Sequence, residues 1–371
     1  MRVARLVALG TLAAVARWAA AAPSPLRFEE SAKIRRLAGF AVSPDGRQVG
    51  FAVATPDVEA NKSRSALWIV AAGGGQARRL TSGERSDFGP RFSPDGRTLG
   101  FLSDRDGGSQ IWTMNLSGGD PVRASAFPTG VDGFAWSPDG KWFVIASDVF
   151  PECADTAGLE KTLKTRAGAK VKGRIADRLL FRHWDSWKDG TRTHLWKVPV
   201  GVGAALDLTP GDRDAPPFTI GGGDDWDVSP DGRDFVYASN PDKDEALSTN
   251  ADLWVVPFAG GGTPKNLTAS NPAYDGAPRY SPDGKWIAYR SQKRPGFESD
   301  RFRLMLLDRA TGQSRSLTDD FDHWIEDFRW APDGKSLVFA TQARGREMLY
   351  RIPAAGGTPA PLWTGGAVAG L

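Results

Sequence analysis

Short apolar runs recur along this chain, separated by Gly, Pro, Asp and Ser, and within most runs apolar and polar positions alternate. A period of two is the mark of a strand with one buried face, because successive side chains point to opposite sides of the pleat. The first repeat shows four such beats: residues 39–42, 48–54, 66–71 and 77–81. Between the first two lies Ser43-Pro44-Asp45-Gly46. The same turn returns as Ser93-Pro94-Asp95-Gly96, Ser137-Pro138-Asp139-Gly140, Ser229-Pro230-Asp231-Gly232, Ser281-Pro282-Asp283-Gly284 and, with alanine leading, Ala331-Pro332-Asp333-Gly334. Proline presets φ for a type I turn, the Ser and Asp oxygens can bond backbone N–H groups just beyond, and glycine takes the left-handed conformation that closes the turn. Each copy therefore predicts a hairpin tip.

Successive turns are 50, 44, 92, 52 and 50 residues apart. A strand-built repeat of about 40–50 residues predicts a β-propeller with one four-stranded blade per repeat. Third strands recur at residues 67–70, 111–114, 195–198, 253–256 and 348–351, and several fourth strands end in Leu-Thr, as at Leu80-Thr81 and Leu267-Thr268. The tryptophans of the third strands, part of a total of 14, are expected to wedge between blades rather than bind a ligand. The double-length interval holds one Leu-Trp third strand and one Leu-Thr fourth strand, so it contains one blade with an insertion at about residues 149–190. This insertion carries a predicted helix over 159–167, a basic run from Lys161 to Arg174 and a second hairpin over 177–187. The fold class is all-β: six four-stranded blades, with a tail, residues 365–371, that reads as the approach to a seventh and suggests a truncated ring. A short helix or strand over residues 28–36 is expected to dock on the first blade.

Residues 1–21 have Arg2 and Arg5, an apolar middle and Ala19-Ala20-Ala21, the layout of a secretory signal cut after Ala21. The propeller then spans residues 22–371, and the protein is expected to be periplasmic or secreted, with no membrane span. The formal charge of +3 includes Arg2, Arg5 and Arg17, so the mature chain lies near neutrality and nothing calls for nucleic acid. The single cysteine, Cys153, cannot form an internal disulfide.

Catalytic signatures are missing from the sequence. Gly312-Gln313-Ser314-Arg315-Ser316 lacks the last glycine of a nucleophile elbow. His183, His194 and His323 do not stand at metal-ligand spacing, and glycines 73–75 and 221–223 are not followed by the Lys-Ser/Thr of a phosphate loop. One carboxylate per turn falls short of the oxygens that calcium needs. No catalytic residue, metal or cofactor is therefore assigned. The one concentrated polar and aromatic stretch is residues 178–187, Arg-Leu-Leu-Phe-Arg-His-Trp-Asp-Ser-Trp. Alternation puts Arg182, Trp184 and Ser186 on one face and Phe181, His183, Asp185 and Trp187 on the other. It can present a charged, aromatic face to a cavity or form a salt-linked hairpin.

The Ser-Pro-Asp-Gly blades, the insertion opening Phe150-Pro151-Glu152-Cys153-Ala154-Asp155, and the segment Asp177 to Leu195 containing Arg182-His183-Trp184-Asp185 resemble the N-terminal propeller of secreted bacterial dipeptidyl and acylaminoacyl peptidases of the prolyl oligopeptidase family. The resemblance implies a cap, seven-bladed in that branch, over an α/β-hydrolase domain bearing Ser, Asp and His that this chain does not contain. The chain is then inactive by itself and gates short peptides toward that domain. Glu152, Arg182 and Asp185 are the candidate substrate contacts, since a carboxylate pairs with a peptide ammonium and an arginine with a carbonyl or carboxylate. The alternative is a free-standing TolB-like periplasmic propeller that binds a protein partner.

Overall fold

The computed structural model describes residues 25–366 except 178, 184, 202 and 219–224. The leader, Arg178, Trp184, glycines 221–223 and the tail beyond residue 366 thus lie outside the described residues. Six four-stranded antiparallel sheets form, each with its strands side by side in chain order. Blade 1 comprises Arg36–Val42, Gln48–Asp57, Lys62–Ala71 and Arg78–Arg79, and blade 2 Asp87–Phe92, Thr98–Ser103, Gln110–Asn115 and Val122–Arg123. Blade 3 takes Gly133–Trp136, Trp142–Val149, Arg192–Pro199 and Leu206–Asp207, and blade 4 Trp226–Val228, Asp234–Ser239, Asp252–Pro257 and Lys265–Asn266. Blade 5 comprises Asp275–Tyr280, Trp286–Ser291, Arg303–Asp308 and Ser314–Ser316, and blade 6 Ile325–Trp330, Ser336–Ala343, Arg346–Pro353 and Ala360–Gly366. This is the six-bladed propeller that the repeat predicts.

Each turn closes as its residues dictate. In blade 1 Gly46 N–H donates to the Ser43 carbonyl (2.8 Å), with Gly46 at φ +71°. Ser43 Oγ donates to Asp45 (2.6 Å) and accepts from Gln48 N–H (2.9 Å), while Asp45 also accepts from Arg47 N–H (3.0 Å). The Ser-to-Asp bond repeats at Ser93, Ser137, Ser229 and Ser281. Blade 6 has Ala331 in its place and retains the Lys335 N–H bond to Asp333 (2.9 Å).

The turns also touch their neighbours. A Cβ on Gly96 would lie 3.5 Å from Pro44, one on Gly140 3.6 Å from Pro94, one on Gly284 3.7 Å from Pro230 and one on Gly334 3.5 Å from Pro282. Each of these glycines therefore seats against the proline of the preceding blade. At the blade 3 to blade 4 junction this contact is missing, for nothing lies within 4 Å of a Cβ on Gly232.

The core is divided among the junctions. One apolar cluster joins blades 1 and 2 through Leu67, Leu99 and Trp112, a second joins blades 2 and 3 through Ile111, Phe143 and Trp196, and a third joins blades 3 and 4 through Leu195, Trp226 and Phe235. Two more join blades 4 and 5 and blades 5 and 6. Of the third-strand tryptophans, Trp112 and Trp196 are buried wedges as the pattern predicts and Trp254 packs partly buried, while the wedge Trp226 comes from a first strand. Among the described residues no backbone ladder joins blade 1 to blade 6, and on the outer face of blade 1 Leu37 and Val42 are 75% and 51% exposed. Helix α1 (Phe28–Ser31) forms at the expected place, but it buries none of its residues, so it does not dock as expected.

Candidate functional site

Antiparallel order sends every second-to-third-strand connection to the face opposite the Ser-Pro-Asp-Gly turns. The insertion leaves blade 3 on that face, after Val149, and returns at Arg192. Its helix α2 (Thr156–Gly168) starts where Asp155 accepts from Gly158 N–H (2.7 Å), a side-chain N-cap one residue before the first helical position. Only Leu159 of α2 is buried, and it packs with Phe150 in the cluster between blades 2 and 3. At the other end Lys172 Nζ donates to the Ala167 carbonyl (3.0 Å), placing a cation on the negative helix terminus.

From there the chain runs extended to a small hairpin, Arg182–His183 paired with Ser186–Trp187. Together these segments enclose a cleft of about 350 Å³. Phe181 and Trp187 line it and stack with ring centroids 6.1 Å apart. The guanidinium of Arg174 lies 4.8 Å from the Trp187 ring and donates through Nε to Asp189 (2.7 Å). Arg166 stands 3.9 Å over Phe150 and donates to the Asp189 carbonyl (2.9 Å).

The root of the insertion is fixed by charge. Arg192, at the first position of blade 3's third strand, donates through Nε to Asp212 (2.8 Å) and through Nη1 to Asp214 (2.9 Å), and also pairs with Glu245 of the blade 4 loop. Asp214, 1% exposed, also accepts from Lys188 Nζ (2.8 Å) and Thr193 N–H (2.8 Å). Burial works against the Arg192 charge, yet the hydrogen bonds to Asp212 and Glu245 and the field of Asp214 outweigh it and hold the guanidinium above its ordinary pKa. Arg213 donates to the Asn240 carbonyl (2.7 Å), and Thr249 Oγ1 accepts from Gly296 N–H (2.8 Å). The insertion and the loops of blades 4 and 5 thus form one continuous rim.

The three residues singled out from the sequence lie apart. Glu152 is exposed in the turn before α2, while Arg182 and Asp185 are exposed on the hairpin. None of the three lines the cleft, and among the described residues no hydrogen bond or ion pair joins Glu152 to either of the others. Phe181 and Trp187 line the cleft, but Asp185, which alternation puts on their face, does not, because the paired strands are only two residues long and the pattern does not carry through the hairpin. His183 packs edge-on against Phe218, with centroids 5.3 Å apart. The acids that do line the cleft are Asp177, Asp189 and Glu245. Asp177 stands immediately before the aromatic stretch, whereas Glu245 comes from another blade and gives no local sequence signal. Among the described residues no cluster of His, Cys, Asp and Glu is arranged to hold a metal, and no helix is long and apolar enough to cross a membrane.

Comparison with known proteins agrees with this architecture. The family model described as TolB beta propeller domain matches residues 32–151, blades 1 and 2 and the first half of blade 3. Dipeptidyl-peptidase 5 of Porphyromonas gingivalis is 33% identical over 326 residues, covering 86% of this chain and 46% of that protein. The acylaminoacyl peptidase of Pyrococcus horikoshii superposes with a TM-score of 0.66 at 16% identity, over 90% of this chain and 47% of that one. The β-propeller domain of the Trilobed protease from Pyrococcus furiosus gives 0.58 at 15% identity, over 90% and 85%. The chain spans about half the length of the curated relatives that it matches. It is a propeller domain related in sequence to dipeptidyl-peptidase 5, with the fold of the propeller in the acylaminoacyl peptidase.

Proposed function

We propose that this propeller, a relative of those in the dipeptidyl and acylaminoacyl peptidases, is the substrate-gating part of a secreted serine exopeptidase, and that the cleft under its insertion receives the end of a short peptide. The observation that carries the reading is the cleft itself: an aromatic floor beside carboxylates, built by the insertion of blade 3 together with Glu245 of the blade 4 loop. Its volume of about 350 Å³ suits one or two residues rather than a folded chain. Hydrolysis would belong to an α/β-hydrolase domain outside this chain, and residues 1–21 would direct export. Glu152, Arg182 and Asp185 are proposed as rim contacts that meet the peptide beyond the cleft. A partner-binding propeller of the TolB kind is less well supported, because similarity to that family model stops at residue 151, where the insertion begins.

The test is calorimetric titration of this chain with peptides of two to six residues and with an unfolded protein, paired with chemical-shift mapping. Short peptides should bind and move resonances of the insertion, and Asp185→Asn or Arg182→Gln should weaken them by a few-fold. Absence of binding by every short peptide, or shifts confined to the turn face, would overturn the proposal. N-terminal sequencing of exported protein should begin at Ala22; retention of the first 21 residues would refute the leader.

A further inference from the structure

Another cavity opens on the turn face, on the side of the propeller away from the cleft. It lies between blades 4 and 5 and encloses about 560 Å³. We propose that it binds an apolar carboxylate, of which a medium-chain alkyl acid is the simplest member, with the chain against the core of the two blades and the carboxylate at Lys265 and Lys285.

Two observations carry this. The first is a missing plug. The pairings of Ala146 with Leu195 and of Ala238 with Leu253 make Lys197 of blade 3 and Val255 of blade 4 equivalent positions. Between blades 3 and 4 the Lys197 side chain reaches the rings of Trp142 and Phe258, with Nζ 4.2 and 4.3 Å from their centroids, and donates to the Phe258 carbonyl (3.1 Å). Between blades 4 and 5 Val255 is too short to do the same. The residue equivalent to Phe258 is there Arg309, which turns to Asp234 and to the Gly284 carbonyl. The space thus stays open over Ile287 and Leu307 of the cluster between these blades, and Val255 and Leu267 are left only half-buried. An apolar guest seated there removes these side chains and itself from water.

The second is charge. The acids of the cavity are satisfied from within: Asp234 pairs with Arg309, and Asp308 accepts from Ala310 N–H (2.8 Å) and Thr311 N–H (3.1 Å). The ammonium groups are held loosely or not at all. Lys265, exposed, makes no hydrogen bond or ion pair to another described residue, and Lys285 meets Asp283 at 3.5 Å with both side chains more than half exposed. The charge on offer is therefore positive, and a carboxylate gains charge-assisted hydrogen bonds from it. Because Lys265 belongs to blade 4 and Lys285 to blade 5, the bound anion also ties the two blades together.

The chain as it stands can be titrated calorimetrically with hexanoate, octanoate and decanoate, and with octanol and octylammonium as controls of charge. Each added pair of methylenes should tighten binding about tenfold, and octylammonium should bind several-fold more weakly than octanoate. Chemical shifts should move at Val255, Leu267 and Ile287 and stay still in the insertion. Val255→Lys, which supplies the plug of blade 3, should abolish binding, and Val255→Met, which fills the space without a charge, should weaken it. Lys265→Gln combined with Lys285→Gln should weaken octanoate about fivefold and leave octanol unchanged. Melting temperatures establish that each variant is folded, and the chain-length series needs the wild type alone. Affinity independent of chain length, octylammonium bound as tightly as octanoate, shifts confined to the exposed Leu37 and Val42 of blade 1, or no binding by any acid overturns the inference. All of these outcomes leave the peptide reading untouched, since its resonances lie in the insertion on the other face.

Discussion

Replacing Arg192 with methionine removes the cation at the root of the insertion and keeps a long apolar stem. In the wild type one guanidinium, about a tenth exposed, serves Asp212, Asp214 and Glu245 at once. Asp214 is 1% exposed and would retain only Lys188 Nζ and Thr193 N–H, while Asp212, half exposed, can turn to water. Removing one partner of a buried pair costs about 3–5 kcal/mol, and the surviving bonds of Asp214 bring the expected loss to about 2–3 kcal/mol. Calorimetry should show a melting temperature several degrees lower. The tether to the blade 4 loop is lost as well, so trypsin should cut after Lys170, Lys172 and Arg174 faster than in the wild type, with the blades still resistant. Arg192→Lys keeps the charge but cannot reach three carboxylates with a fixed fork, and it should fall between. A methionine variant within about 0.5 kcal/mol of the wild type, with unchanged cleavage of the insertion, would refute the idea that this network seats the cleft.

Ala331→Ser should restore to blade 6 the hydroxyl that the other five turns possess and stabilise the protein by about 1 kcal/mol in urea melts; a neutral or destabilising result would mean that the Ser-to-Asp bond adds nothing. The converse change, Ser229→Ala, has a pH signature. The Ser229 hydroxyl and then Arg233 N–H hold the Asp231 carboxyl below its usual range, so their contribution is complete above the unfolded value near 3.8 and is lost as pH falls through the lower folded value. The gap between wild type and variant should narrow in acid, and a gap independent of pH would contradict this. Burial, against hydrogen bonds from Ser291 and Asn271, pushes Asp275 up to about 7. A raised carboxyl means that the folded state binds the proton more tightly, so stability should fall as pH rises from about 4 to 7 and then level off. Asp275→Asn should flatten that segment of the urea-midpoint profile, and parallel profiles for the two proteins would refute the assignment.

The blades were legible because their information is local. A turn of four residues fixes a hairpin, and alternation on either side fixes which faces pack. The third strands of blades 5 and 6, Arg303–Asp308 and Arg346–Pro353, carry no tryptophan, and the blade 5 strand stands outside the series read from the sequence. Helix α2 extends on both sides of the expected residues 159–167, since Asp155 caps it earlier and Lys172 closes it later. The cleft was half legible. Phe181 and Trp187 stand in the aromatic stretch that the sequence brings forward, but Arg182 and Asp185 stood out there for their charge, and neither lines the cleft. Asp212, Asp214 and Glu245 reach Arg192 from 20, 22 and 53 positions along the chain, through the placing of one blade beside the next. No periodicity in the sequence encodes that meeting.

Because no proline backs Gly232, the third and fourth blades lack the turn contact of the other described neighbours and hold together by their apolar wedge, the ionic knot around Arg192 and the bonds of Arg213 to Asn240 and Lys197 to Phe258. Stretched from its two ends, the molecule should part there first, into two halves of three blades each. The loops that line the cleft straddle that parting line, so a slight yawning of the seam would widen or narrow their mouth while every sheet stayed whole.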